Sequence, residues 1–280
     1  MREGMLRQES GLRDLLQEMG RISQKARSLL RSAPPGIGIE LQNGRETDRG
    51  KPVDPAEEKR TGVALMGELQ RIRFETREEW LAWRVNGIGA SEAGAIMGDS
   101  KWQTKIDLWK IKTGATAQPD LSGSEVIQRG VRFEPAIRAV YAAMHPELRV
   151  VHNPYDVLFQ SDRPWLFATL DAETYDKNDE PGTAEFKTAQ PRNREEWDIW
   201  NNGVPANYYD QVLHQHLATG WRRHHLTAFL FRTDGDIIVR DYDFTVDDGF
   251  QMDAQIVLET ESLFLDDIRN RRIPAMPLRL

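Results

Sequence analysis

Asp171, Glu185 and Lys187 are the residues of this chain whose types and spacing could do chemistry. Two carboxylates brought together in an apolar surround repel, and a hard divalent cation relieves the conflict by taking oxygens from both. A protonated lysine cannot ligate that cation. Two residues beyond Glu185 it stands on the same strand face, where it can orient a water or lower its pKa. Metal-assisted hydrolysis is the chemistry the trio fits, although Glu-x-Lys alone equally marks a solvated surface hairpin that contributes little to stability.

The element that must position them is predicted as a β-hairpin over 166–188. Leu166, Ala168, Leu170 and Ala172 alternate with Phe167, Thr169, Asp171 and Glu173, and 176–182 supplies turn chemistry before 183–188 extends again. Alternation puts Asp171 on the face of Thr169, and Glu185 on the face of Lys187. A pairing that makes those faces coincide gathers the trio.

Composition narrows the class. At 280 residues and 39% hydrophobic, the chain can bury a substantial core, one domain with appendages. No apolar run approaches membrane-spanning length and the first nine residues lack the apolar core of a secretory signal, so a cytoplasmic protein with no membrane partner is expected. With no cysteine, disulfides, thiolate metal sites and thiol nucleophiles are excluded, and oxygen or imidazole must hold any metal. Lys+Arg 37 against Asp+Glu 44 gives −7, which argues against indiscriminate coating of nucleic acid while leaving room for a local basic channel.

Along the chain, Leu12, Leu15, Met19, Ile22, Ala26 and Leu29 predict an amphipathic helix within 1–30, a candidate docking element, and 31–61 reads as a flexible linker before a folded domain over 62–280. Thr76-Arg-Glu-Glu79 is a capping box that opens a helix carrying Trp80 and Trp83. In the glycine-rich stretch 86–98, Gly87 and Gly89 permit close backbone approach, and Ser91 is placed to cap a short helix whose start suits an anion. The spacing is not that of a nucleotide-binding loop, so no nucleotide cofactor is expected. Helices are predicted over 104–112, with a basic side, and over 130–144, with Glu134 and Pro135 in its first turn. Residues 197–206 read as a loop or short helix and 208–219 as a helix ended by Gly220. A second hairpin spans 226–244, and the helix over 247–271 shows an apolar stripe through Met252, Ile256, Leu258, Leu263, Phe264 and Ile268. The six histidines read as structural or solvated, since His214 and His216 do not share a helix face and no HExxH occurs. A serine hydrolase would need a GxSxG elbow that is absent. A glycosidase could use the paired acids, but Glu-x-Lys on a strand fits hydrated-metal phosphodiester chemistry better.

Taken together, Arg84…Gly87-Ile-Gly-Ala-Ser91…Gly98, Gly130-x3-Glu134-Pro, Asp171, Glu185-Phe-Lys187-Thr and Tyr208-Tyr-Asp-Gln211…Gly220 resemble, in order and approximate spacing, the phage lambda exonuclease and YqaJ-type viral recombinase family of PD-(D/E)xK nucleases. The resemblance covers roughly 76–275. It implies an α/β restriction-endonuclease-like core, a central mixed sheet flanked by helices. The implied activity is a Mg²⁺-dependent 5′-to-3′ exonuclease, with Mn²⁺ as substitute, acting on double-stranded DNA ends to leave 3′ tails for recombination. A homotrimeric ring, a single-strand annealing partner and the cytoplasm of a bacterial or phage-infected host are implied with it. Asp171, Glu185 and the Phe186 backbone carbonyl become the implied metal ligands, Lys187 the water-orienting lysine, and Glu134 an acid supporting the site directly or through water. Gln211 is implied at the active-site edge or the DNA, with Gln215 one turn on able to share its role. Arg84 and Ser91 fall on positions that grip the 5′ phosphate, with Thr169 an additional hydroxyl. The family's Ser-Pro-Asp-Gly is here Ala168-Thr-Leu-Asp171-Ala, so the approach to the acid differs. An endonuclease of the same superfamily and a non-catalytic DNA-end-binding recombination protein are the competing readings.

Overall fold

The strand predicted to run unbroken from Leu166 through Glu173 is interrupted at Thr169, Leu170 and Asp171, and the interruption separates two mixed sheets. The structure, a computed structural model, describes residues 67–121 and 123–275; the predicted helix within 1–30 and the linker over 31–61 lie outside the described residues. Its strands are β1 Leu69–Arg73, β2 Ile88–Gly89, β3 Arg149–Val151, β4 Asp156–Gln160, β5 Leu166–Ala168, β6 Ala172–Tyr175, β7 Pro181–Ala189, β8 Arg223–Phe231 and β9 Ile237–Thr245. The helices are α1 Arg77–Trp83, α2 Ala93–Met97, α3 Lys105–Lys112, α4 Glu125–Met144, α5 Arg194–Asn202, α6 Ala206–Thr219 and α7 Asp248–Arg269. One sheet has the order β1-β4-β5-β2 and the other β3-β6-β7-β8-β9. The expected α/β class holds, with the expected single central sheet divided in two.

Helix α6 lies between the sheets. Its Val212, Leu213, Leu217 and Ala218 belong to one core with Leu158, Leu166 and Ala168 of the first sheet and Leu226, Ala228 and Leu230 of the second. Residues 210–219 are all buried, so the polar ones among them must find partners inside the protein. Helix α4 covers the opposite face of the second sheet, packing Ile137 and Tyr141 on Ala172, Ala184, Phe186 and Phe229. No helix among the described residues is long and apolar enough to cross a membrane.

Local signals set several boundaries. The Thr76–Glu79 capping box forms as predicted, and Gly220 ends α6 at φ 71°, a left-handed conformation that a side chain would strain. Two predictions fail on depth or extent. Helix α4 starts at Glu125 rather than near 130, so Glu134 and Pro135 sit mid-helix. Proline there leaves the Val131 carbonyl without its helical donor, but Val131 is 69% exposed and water can take that place. On α7, Met252, Ile256 and Leu263 face solvent, whereas Phe250, Ala254, Val257, Glu261, Phe264 and Leu265 are buried. Strands β1, β2, β3 and β4 were not anticipated, being short and mixed in polarity or glycine-bearing.

Arg71 ties the two sheets. From β1 it donates to Asp156 Oδ2 on β4 at 2.6 Å and makes paired bonds to Glu173 on β6 at 2.6 and 2.8 Å. Asp156 and Glu173 are 4% and 2% exposed. We expect Arg71→Ala to destabilise the fold by ~2–4 kcal/mol, because two buried carboxylates lose a shared cation, a value trimmed for the partial exposure of the arginine. Urea denaturation measures it; a change within ~0.5 kcal/mol, the scatter of ordinary surface substitutions, would show the two sheets to be held together by apolar packing alone.

Candidate active site

The β6–β7 register decides whether the acids meet. Ala172 pairs with Ala184 and Glu173 with Thr183, so one step further Asp171 stands opposite Glu185. The Phe186 N–H donates to Asp171 Oδ2 at 2.8 Å, fastening the acid to the neighbouring strand. On a strand the N–H and C=O of one residue point the same way, so the Phe186 carbonyl also faces the Asp171 side. Glu185, 3% exposed, accepts three hydrogen bonds: from Lys187 Nζ at 2.5 Å and Gln211 Nε2 at 2.7 Å on Oε1, and from Gln215 Nε2 at 2.5 Å on Oε2. Lys187 also donates to Gln211 Oε1 at 2.9 Å and lies 5.0 Å from the centre of the Tyr208 ring. Gln211 and Gln215, one turn apart on α6, therefore both reach Glu185.

Electrostatics follow from this crowding. Burial pushes the Asp171 carboxyl well above the ordinary range and the Glu185 charge adds to it; Lys187 pulls the other way, and Glu134 again raises it. Burial disfavours the Lys187 ammonium, but Glu185 and Asp171 outweigh that and hold it above its ordinary value. Glu134, reaching in from α4, accepts from Arg138 Nη1 at 3.2 Å, and the same guanidinium nitrogen donates to the Asp171 carbonyl at 3.3 Å. His152 Nδ1 donates to that carbonyl at 2.9 Å. These donors fit a hard divalent cation: they are oxygens, they are crowded enough that Asp171 resists ionising, and a cation is what relieves them.

A second group borders the acids two residues upstream. The Arg84 guanidinium lies 4.7 Å over the Trp80 ring and donates to Ser91 Oγ at 3.1 Å, while Trp80 Nε1 donates to Thr169 Oγ1 at 2.9 Å. Arg84, Ser91 and Thr169 are thus gathered around one indole. Strand alternation, however, does not relate Thr169 to Asp171, since neither lies in a strand. Ser91 does not cap a helix either. It sits in a short 3₁₀ turn, Ala90–Glu92, and Glu92 Oε2 takes the Gly89 N–H at 2.9 Å instead. Helix α2 has five residues and its first four are buried, so its start is not open to an anion.

Gly87 is required by close approach: a Cβ there would meet the Trp165 carbonyl at 2.2 Å, where Ile88 N–H bonds the same oxygen at 2.7 Å. Sequence reasoning missed what holds this loop. Lys112, assigned to a basic helix side, turns inward with its side chain 6% exposed and donates to the Gly87 carbonyl at 2.6 Å and the Arg84 carbonyl at 3.2 Å, pairing with Glu92 at 2.8 Å. His214, expected to be structural or solvated, is structural: on α6 it meets Glu261 at 2.8 Å and the Phe167 carbonyl at 3.0 Å, the two side chains fully buried, and it is the partner Glu261 that was missed. An acid four residues after Val257 on a buried stripe was the available signal for Glu261. Trp200 packs against Tyr208 and Tyr242 and is 4% exposed, so packing rather than base stacking is its use.

A family model of the YqaJ-like viral recombinase domain matches residues 79–222, a span holding every site residue named above from Arg84 to Gln215. The uncharacterized protein YqaJ of Bacillus subtilis (strain 168) is 30% identical over 139 residues, 50% of this chain and 41% of that protein, so the chain spans less than half the length of this relative. Among solved structures, the alkaline exonuclease LHK-Exo from Laribacter hongkongensis superposes with a TM-score of 0.52 at 19% identity, covering 70% of this chain and 94% of that one. LHK-Exo in complex with dAMP gives 0.53 at 18%, with the same coverage. These likenesses bear out the expected fold.

Proposed function

Because the chain belongs to the YqaJ-like viral recombinase family, we propose that it is a metal-dependent deoxyribonuclease, a 5′-to-3′ exonuclease that degrades one strand of linear duplex DNA. The observation that carries this reading is the meeting of Asp171, at the entry to β6, with Glu185 and Lys187 on β7, while Arg84 and Ser91 connect to the segment before Asp171 through Trp80 and Thr169.

A Mg²⁺ ion, or Mn²⁺ in its place, held by Asp171, Glu185 and the Phe186 carbonyl with Glu134 in support, would supply Lewis acidity at the scissile phosphate. Lys187 stays protonated beside Glu185, so it donates to the attacking water and orients it rather than removing its proton. Gln211 and Gln215 fix Glu185 from the α6 side before any ligand arrives, which spares reorganisation when the phosphate binds. Arg84 and Ser91 grip the terminal 5′ phosphate, with Thr169 as a further hydroxyl, and so set the polarity of digestion. The same reading takes 62–280 as the nuclease domain and a homotrimeric ring as its working form. The 3′ tails would pass to a single-strand annealing protein, in the cytoplasm of a bacterial or phage-infected host.

Linear duplexes bearing 5′ phosphate or 5′ hydroxyl, and a covalently closed circle, incubated with Mg²⁺ or EDTA, test the proposal. The expected result is Mg²⁺-dependent nucleotide release from linear DNA, faster with 5′ phosphate, and an intact circle. Nicking of the circle would make the protein an endonuclease, and retention of DNA without release would make it a binder. Arg84→Ala should remove the preference for 5′ phosphate, a loss of about 1.5–3 kcal/mol or some tenfold to a hundredfold in apparent end affinity. Unchanged discrimination between the two ends would take Arg84 out of that role.

A further inference from the structure

His145, His225 and Asp241 form a cluster outside the site described above, on the other face of the central strand. His225 pairs with Ala184, the neighbour of Glu185, but its side chain lies on the α4 side of the sheet. One ligand atom from each of the three residues falls within 4.8 Å of the others. From this cluster we propose a second metal site that binds Zn²⁺ or a similar borderline transition cation and pins the end of α4 to the β8–β9 hairpin.

The donor set has the supports that such sites use. His145 Nε2 lies 2.7 Å from Asp241 Oδ2, a contact the ion would replace, while its Nδ1 lies 3.3 Å from Glu147 Oε1, a carboxylate placed to fix the ring. Thr227 Oγ1 donates to Asp241 Oδ1 at 2.6 Å, leaving the other oxygen for the ion. Neither nitrogen of His225 is committed to a hydrogen bond: Nδ1 is buried without a partner, and Nε2 is 3.9 Å from Asp243 Oδ1, a carboxylate able to complete the shell. The Tyr141 hydroxyl is a further orphan in a fully buried residue whose ring centre is 4.5 Å from His145 and 5.6 Å from His225. Two imidazoles with one carboxylate select zinc over magnesium, and bonds of about 2.0–2.1 Å would part His145 Nε2 and Asp241 Oδ2 from their 2.7 Å contact to admit the ion. His225 and Asp241 lie beyond the family-matched span, so the site is read from this chain alone.

The test uses the full chain, dialysed against chelator and then titrated with zinc alone. In the double variant Asp171→Asn, Glu185→Gln, which disables the proposed nuclease site, one zinc equivalent should remain. His145→Gln and His225→Gln, each added separately to that background, should lose it. They should also lose the visible absorption of the cobalt-substituted protein and the melting increase of about 5–10 °C expected near a hundredfold excess over Kd. Circular dichroism before metal addition shows whether each variant is folded, and Asp241→Asn provides a third variant if either histidine change is not. Loss of zinc in the double variant would place the ion at the nuclease acids and overturn the proposal. So would zinc binding that survives every change in the cluster, or no binding at all, which would leave a His145–Asp241 ion pair only. None of these outcomes depends on whether the protein cleaves DNA.

Discussion

Lys187→Ala removes cleavage while leaving duplex ends bound: this is the largest effect we expect from a single change. The ammonium lies 2.5 Å from Glu185 and 2.9 Å from Gln211, and its charge is sustained by Glu185 and Asp171. Deleting one preorganised donor from a water-poor site costs on the order of 10²–10³ in rate, and here the same donor also fixes a buried carboxylate, so the loss should reach at least that range. In the function proposed above, end binding rests on Arg84 and Ser91, which the change does not touch. Single-turnover digestion of a 5′-phosphorylated duplex, set beside end binding measured in EDTA, separates the two. Lys187→Met keeps the aliphatic stem and controls for packing. Digestion at the wild-type rate by either variant would remove the lysine from the mechanism.

Asp171→Asn should abolish cleavage and yet stabilise the metal-free protein at neutral and alkaline pH. Burial, the Glu185 charge and Glu134 hold the Asp171 carboxyl above its ordinary value of 3.8, against the pull of Lys187. An acid whose pKa is raised by folding is harder to ionise in the native chain than in the unfolded one. Its penalty is absent below the ordinary carboxylate value, grows as pH rises from there towards the raised native pKa, and is fully present above it. Asparagine still offers an oxygen to the Phe186 N–H but has no charge to bury. Each kcal/mol of relief moves the melting point by roughly 2–4 °C in a domain of this size. Wild type and variant, melted in EDTA across pH, should therefore diverge as pH rises, and Mg²⁺ should raise the wild type while doing little for the variant. Parallel melting curves in EDTA would mean that Asp171 is not under the strain described.

That trade of stability for function separates what could be read in the chain from what could not. The Glu185-Phe-Lys187 spacing, the Thr76–Glu79 cap, the Gly220 stop and both hairpin turns were legible because each depends on residues a few positions apart. The pairing of Asp171 with Glu185 was legible only as a condition, that the two faces coincide, and the β6–β7 register is what meets it.

The remainder depended on partners far along the chain. Lys112 reaches back 25 residues to the Gly87 carbonyl, and His214 forward 47 to Glu261, spacings that no local pattern encodes. The break at 169–171 also has no signature in alternation, because the chain keeps its period while it passes from one sheet to the other. Periodicity on α7 reported an apolar stripe, but which side met the core was set by α6, and Met252 and Leu263 were left in water. Residue type and spacing thus pointed to the chemistry proposed, since two acids and a lysine on one hairpin have few uses. Burial chose the roles, since a carboxylate, an ammonium or an imidazole takes its charge and its partner from how much water and how many other charges surround it.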